Sequence, residues 1–461
     1  MIAKQQPPGP ADAYSTEQDL RIWLGDQFRR YGDVFKASIY GANVYVVSAP
    51  DLVEHVLLRN WQNYVKGQAI KRIALLLGKG IMVSEGDLWI RQRRMIQPAF
   101  QRKAIGGLAD LIARVNRELL GKWAHAARSN TQVNVTHDIS GTVLQVVLRS
   151  IFGDDYEVVA PHFNILSAEP ERSLQFADAF RPLADIVIRL ARKRSEQNRP
   201  GTDFLGMLMQ ARDREGQPMP ERQLAREIMT LVVAGHETTA SVLNWTWYLL
   251  SQDPVAEQKL GQELDELLGD EFPQIDELPR FAYTRQVIEE AMRLYPPGWL
   301  MTRKALKDDQ IGDYFVPAGT EIYIAPYLIQ RHPGLWEEPN RFNPDRFSPE
   351  LSEQRHALAM LPFSAGPRNC IGEYFARIEM QIHLMIIAQR LRMIYEEKAP
   401  AELVAGVNLL SRHDFLMTPQ LRAQPYKLSD LNSLDGLRPD AAHGALGSVG
   451  GIRSHRKIPG S

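Results

Sequence analysis

One cysteine stands in 461 residues, and its surroundings make it a candidate ligand rather than a crosslink. Cys370 lies in the loop Phe363-Ser364-Ala365-Gly366-Pro367-Arg368-Asn369-Cys370-Ile371-Gly372, which runs into the helix-periodic segment EYFARIEMQIHLMIIAQRL. A thiol there meets the unpaired N–H groups and positive dipole end of a helix, which stabilise a thiolate and take up part of its charge when it binds a metal. Gly366 and Gly372 would let a flat ligand reach the backbone, and Arg368 is placed to pair with a carboxylate on that ligand. A lone buried cysteine is more often an inert core residue. This combination of thiol, glycines and arginine suits a thiolate-ligated haem. A second set is Ala234-Gly235-His236-Glu237-Thr238-Thr239, inside a long helical stretch. Glycine in a helix interior costs about 1 kcal/mol against alanine, and adjacent β-branched threonines add to that, so the local rule is broken in mid-helix. A hydroxyl that bonds the carbonyl one turn earlier can open a small groove, and an adjacent carboxylate can relay protons from solvent. The same residues also suit plain close packing between helices.

The cysteine loop matches, at every defined position, the pattern Phe-x-x-Gly-x-Arg-x-Cys-x-Gly, and on it the chain resembles the cytochrome P450 family. The resemblance implies that Cys370 is the axial ligand of haem b (iron protoporphyrin IX), with Phe363, Gly366, Arg368 and Gly372 beside it and dioxygen as co-substrate. Ala234 to Thr239 is similar to the family's oxygen-activation pattern Ala/Gly-Gly-x-Asp/Glu-Thr-Thr/Ser. By that resemblance Ala234 and Gly235 shape the groove, Thr238 donates a hydrogen bond to bound dioxygen and Glu237 helps to deliver protons. Trp89-Ile90-Arg91-Gln92-Arg93 looks like the family's Trp-x-x-x-Arg helix, whose spacing puts Trp89 and Arg93 on one face. The resemblance brings both to a haem propionate and adds Arg303 and Arg368, so that cations face two carboxylates. Glu290-Ala291-Met292-Arg293 resembles the Glu-x-x-Arg helix, and Pro339-Asn340-Arg341-Phe342-Asn343-Pro344-Asp345-Arg346-Phe347 resembles the later Pro-x-x-Phe-x-Pro-Glu/Asp-Arg-Phe segment. Glu290, Arg293 and Arg346 are thereby expected to form a charged core network, structural rather than catalytic.

Positioning these residues requires a mainly α fold with a minor β region (α+β), the cytochrome P450 fold, with haem between the long helix and the cysteine helix. Strand-like alternation marks VFKASIY and NVYVVSA, and helical periodicity follows around 51–59, 87–95, 105–128, 140–152 and 173–197. The long helix opens near Pro220 and is stopped by Asp253-Pro254, a reach of roughly 50 Å. Helices are expected at 254–268, 284–294 and 371–392, and strands at 300–305 and 320–325. Residues 1–425 read as a haem domain. From 426 to 461 Gly, Ser and His replace bulky residues without amphipathic period, which reads as a flexible tail. The span between Phe152-Gly153 and Arg192-Lys193-Arg194 is short for the helices and loop that roof the family's substrate chamber.

Lys plus Arg total 54 against 55 Asp plus Glu, a net charge of −1, which leaves no basic field for nucleic acid. A single thiol cannot form an internal disulfide or a Cys-rich zinc site, so a reducing compartment is expected. No window supplies the about 20 apolar residues of a membrane span, and the polar start MIAKQQPPGPADAY lacks a signal-peptide core. A soluble, cytoplasmic protein without a membrane anchor is expected. Candidate pocket walls are Val233, Ala234, Trp299, Leu300, Leu409 and the loop from Ile70 to Met82, mostly apolar, which favours a hydrophobic small-molecule substrate. The basic cluster Arg91, Arg93, Arg94, Arg102 and Lys103 is either a solvated face or, by the resemblance, a dock for a ferredoxin- or flavodoxin-type electron donor served by its reductase. The leading expectation is a haem-thiolate monooxygenase. The alternatives are a haem-thiolate peroxygenase, a non-catalytic haem-binding sensor, and a cofactor-free cysteine hydrolase.

Overall fold

Apolar side chains recur on every side of Glu221–Gln252, and this segment forms one helix of 32 residues, about 48 Å long. From Thr239 to Leu250 all its residues are buried, so its second half runs through the core. Asp253 ends it, and the Asp253 carboxylate accepts the N–H groups of Val255 and Ala256, capping the next helix, Pro254–Leu267. Val135–Phe152, Leu174–Glu196, Ala282–Leu294 and the cysteine helix Glu373–Ala388 all pack against the long helix. The computed structural model describes residues 5–70, 74, 78–163, 174–268, 274–397 and 399–422, with 174–181 described by backbone alone. Most of the expected substrate loop from Ile70 to Met82, part of the chamber roof and the expected tail from 426 lie outside the described residues.

Five strands form the main sheet in the order Val34–Ile39, Ala42–Val47, Glu321–Ile324, Met301–Ala305, Tyr64–Lys66. Only the Ala42–Val47 and Glu321–Ile324 pair is parallel. Tyr45, Val47, Ile322 and Ile324 supply one buried face, and Val44, Val46 and Tyr323 the other. In the register of the last pair, Lys66 stands directly opposite Arg303.

Three expected boundaries differ. The helix expected over 105–128 is split into Arg102–Gly106 and Ala109–Arg128, because the adjacent glycines Gly106 and Gly107 favour a break there. The cysteine helix ends at Ala388 instead of 392, and Leu391–Ile394 pairs with Leu416–Leu421 as a strand, burying Leu391 and Met393. The helix expected over 51–59 turns after Glu54 into a wider π-turn, His55–Arg59. Among the described residues no helix is long and apolar enough to cross a membrane.

Candidate active site

The Cys370 N–H donates to the Phe363 carbonyl at 2.9 Å and closes the loop into a ring. Ser364 and Gly366 turn it with φ of 62° and 73°. A Cβ on Gly366 would stand 2.2 Å from the Leu57 carbonyl oxygen, so this glycine serves the close approach of the π-turn as well as the positive φ. Gly372 is less constrained: its Cβ would lie 3.9 Å from the Cys370 sulfur. Cys370 is solvent-accessible through a recess of about 550 Å³, lined by Arg93, Gln97, Phe100, Asn369, Tyr374 and Arg377 among others, while protein encloses the sulfur elsewhere. That enclosure pushes the thiol pKa up; hydrogen bonds from the Gly372 and Glu373 N–H groups and the Arg93 charge oppose the rise, and the Glu373 carboxylate adds to it. The amides at the start of the helix are therefore aimed at the sulfur. A ligand drawn by a metal would be the thiolate that those amides favour.

The cross-strand neighbours Lys66 and Arg303 are both cationic, and Arg368 lies close to each. Burial lowers Arg303 to about 10, with Arg368 adding to the drop and Glu85 opposing it. Lys66 is lowered to about 8 by burial, and its Nζ donates to the Ile81 and Ser84 carbonyls at 2.9 Å each. Arg368 donates to the Glu85 carboxylate at 2.7 Å and to the Tyr64 and Trp61 carbonyls at 2.7 and 3.2 Å, and its guanidinium lies over the Trp61 and Trp89 rings. Its Nε has no acceptor among the described residues. Arg303 makes one bond, to the Thr302 carbonyl. Like charges directly opposite on neighbouring strands destabilise a sheet, and unsatisfied buried donors cost more. A ligand bearing carboxylates would supply the missing acceptors, and a thiolate beside helix amides would supply an iron ligand. The residues present fit haem. Lys66 and Glu85 were not singled out in the sequence, since one lysine in a three-residue strand carries no spacing signal.

The structure divides the expected propionate set. Trp89 is buried, edge-on to Trp61 and near Arg368. Arg93 instead donates to the Asn369 carbonyl and side chain at 2.8 and 2.9 Å, and so braces the cysteine loop. The basic cluster divides too: Arg91 pairs with Asp213 at 2.7 Å, while Arg94, Arg102 and Lys103 remain exposed.

On the long helix the Thr238 hydroxyl donates to the Ala234 carbonyl at 2.7 Å. The helix stays continuous here, which corrects the expectation of an opened groove: Gly235 gives room to Val147 of the neighbouring helix, 3.3 Å from where a Cβ would stand. His236 is buried between those helices with its Nε2 3.0 Å from the Ser140 hydroxyl, and burial lowers its pKa to about 4. Val233, Ala234, Gly235, Glu237 and Thr238 are only half-buried, in contrast to the covered helix on both sides of them. This single turn is where the long helix has surface left for a ligand. The Glu237 carboxylate accepts from the Asn408 side-chain amide at 3.0 Å. Two expected pocket walls are corrected. Leu409 is fully buried in the core cluster that also holds Trp299, whose Nε1 donates to the Gly406 carbonyl, so an apolar run after a turn is core here. Leu300 is half-buried.

Glu290, Arg293 and Arg346 meet in one buried cluster. Arg293 grips Glu290 with Nε and Nη2 at 2.6 and 2.8 Å, and Arg346 reaches the same carboxylate at 3.2 Å. Arg293 also donates to the Gln330, Pro339 and Arg341 carbonyls. All five of its N–H donors are engaged.

The Cytochrome P450 family model matches residues 23–187 and 159–414 of this chain. Cyclooctatin synthase of Streptomyces melanosporofaciens is 33% identical over 391 residues, covering 79% of this chain and 83% of that protein. Cyclooctat-9-en-7-ol 5-monooxygenase of the same organism is 30% identical over 385 residues, with the same coverage of 79% and 83%. Protein LUTEIN DEFICIENT 5, chloroplastic, of Arabidopsis thaliana is 27% identical over 470 residues, 93% of this chain and 78% of that one. A crystal structure of a cytochrome P450 haem domain superposes with a TM-score of 0.79 at 24% identity, covering 91% of this chain and 98% of that one, a likeness of fold. With the cysteine loop, the cation cluster and the half-covered helix turn, these matches place the chain in the cytochrome P450 family, as a haem-dependent monooxygenase that uses dioxygen.

Proposed function

We propose that this chain inserts one atom of dioxygen into a C–H bond of a largely apolar cyclic molecule, using two electrons from a separate ferredoxin- or flavodoxin-type donor and its reductase. Two protons and the second oxygen atom leave as water. The observation that carries the reading is the Cys370 sulfur at a helix start, with the Gly372 and Glu373 amides directed at it. Haem b, when bound, would supply a redox-active iron whose thiolate ligand favours O–O cleavage.

The chain's own residues have separable tasks. Cys370 would hold the iron, and Arg303, Arg368 and Lys66 would hold the carboxylates under the Trp89 ring. Phe363, Gly366 and Gly372 shape the loop. Thr238 commits its proton to Ala234 and presents its oxygen as an acceptor, so it donates elsewhere only after its hydroxyl rotates. Glu237 exchanges protons with solvent and supplies them beside Thr238. A peroxide-driven enzyme has less need of that acid–alcohol pair. Val233, Ala234 and Leu300 offer apolar, half-buried surface to the substrate. An unsaturated cyclic alcohol, the kind of molecule named for the relative that is 30% identical, is the first candidate class. Exposed Arg94, Arg102 and Lys103 suit an acidic donor. In this reading residues 1–425 hold haem without the tail from 426, and the protein works in the cytoplasm.

Haem-loaded protein titrated with cyclic alcohols, then supplied with NADPH and a surrogate ferredoxin system, tests the proposal. Substrate-induced Soret shifts and donor-dependent hydroxylated product are expected. Product with hydrogen peroxide but none with the electron donor would make the chain a peroxygenase, and binding without turnover by either route would make it a sensor.

A further inference from the structure

Two short strands, Leu403–Ala405 and Leu409–Ser411, form a hairpin whose turn lies on the long helix. Ser241 Oγ and Trp245 Nε1 both donate to the Leu409 carbonyl, at 2.8 and 3.0 Å. Across the turn, Trp299 Nε1 donates to the Gly406 carbonyl at 2.9 Å, and the Gly406 N–H donates to the Asn408 carbonyl at 2.9 Å. Glu237, Ser241 and Trp245 are spaced four residues apart, so they lie along one helix face. The turn is thus clamped along the face that carries Glu237. At its tip the buried Asn408 donates from Nδ2 to Glu237 Oε2 at 3.0 Å.

We infer that Asn408 is a positioning residue for the reaction: its amide, fixed by the clamped turn, sets the orientation and the charge state of the Glu237 carboxylate. The inference rests on the proposed proton-delivering role of Glu237. An amide N–H bonded to a carboxylate stabilises the ionised form, and the amide itself neither gains nor loses a proton near neutrality. Asn408 therefore leaves proton exchange to Glu237 while limiting the side-chain conformations from which it exchanges. The clamp gives Trp299 and Leu409 a task that their burial denies them as pocket walls: they hold the turn that holds the acid.

Two variants test this in the haem-loaded protein. Asn408→Asp keeps the shape and sets a second carboxylate against Glu237; Asn408→Leu removes the donor. Infrared titration of the carboxyl band, assigned with Glu237→Gln, is expected to show protonation in Asn408→Asp at a pH higher by about one unit or more than in the parent protein. Asn408→Leu is expected to move it in the same direction by less. In both variants the electron donor consumed per product formed is expected to rise several-fold, with the thiolate-haem spectrum retained. An unmoved carboxyl titration together with unchanged coupling, in variants that keep that spectrum, would overturn the inference. If Glu237→Gln itself leaves coupling unchanged, the proton-delivery reading fails, and a shifted titration in Asn408→Asp still supports Asn408 as the group that sets the Glu237 carboxylate.

Discussion

Two buried arginine clusters occupy this molecule, and they are built on opposite principles. Around Glu290 every N–H of Arg293 has an acceptor, and Arg346 is tied to the same carboxylate and to the Glu338 and Arg341 carbonyls. Around Arg303 three cations converge on Glu85, Arg303 uses one donor, and Arg368 leaves its Nε without an acceptor among the described residues. A saturated cluster holds a fold together and has nothing left for a ligand. An unsaturated one is costly until an anion completes it. The difference separates structural from cofactor-binding arginines in a chain where both kinds are equally buried.

Breaking the saturated cluster has the largest effect. Arg293→Leu leaves Glu290 uncompensated in the core, and a loss of about 3–5 kcal/mol is expected from urea unfolding of the haem-free chain. Arg293→Lys does not restore it, because an ammonium cannot fill five fixed donor positions. Arg303→Leu sharpens the contrast: it removes a like-charge pair across two strands, so the haem-free chain should unfold at the same or a higher urea concentration. Haem affinity, measured by transfer to an apo-globin acceptor, should fall about tenfold, a loss of about 1.4 kcal/mol. Equal destabilisation by Arg293→Leu and Arg303→Leu would erase the distinction.

The smallest effect is a pH dependence. Lys66 is depressed to about 8 from its ordinary 10.5 because it is buried among cations. Without haem its proton is lost as pH rises through about 8, whereas a carboxylate partner favours the charged form. The haem affinity of the parent protein relative to Lys66→Met should therefore be greatest below pH 8 and fall by a few-fold above it. The ratio isolates Lys66 from the opposite pH dependence of thiol ionisation at Cys370. A ratio independent of pH between 7 and 10 would remove Lys66 from the cation set.

Local spacing made much of this legible in the sequence. The cysteine loop, the Glu-x-x-Arg pair and the long helix are encoded within ten to thirty residues, where one turn or one helix fixes the neighbours. Contacts made across the fold were not legible. Lys66 meets Arg303 through strand register, and Asn408 reaches Glu237 from 171 residues away. Hydrophobicity misassigned Trp299 and Leu409, because an apolar side chain reads the same whether it lines a chamber or fills a core. Gly235 shows the same ambiguity in the helix: the residue that suggested an opened groove is the one that lets Val147 pack close.

The central claim is that the sulfur of Cys370 binds haem iron as a thiolate. The carbon monoxide difference spectrum of the reduced, haem-loaded protein, recorded beside Cys370→Ser, tests it most directly. A strongly red-shifted Soret band in the parent protein and its loss in a folded, haem-containing variant is the predicted result. The same band in Cys370→Ser, or its absence from folded, haem-loaded parent protein, would contradict the account.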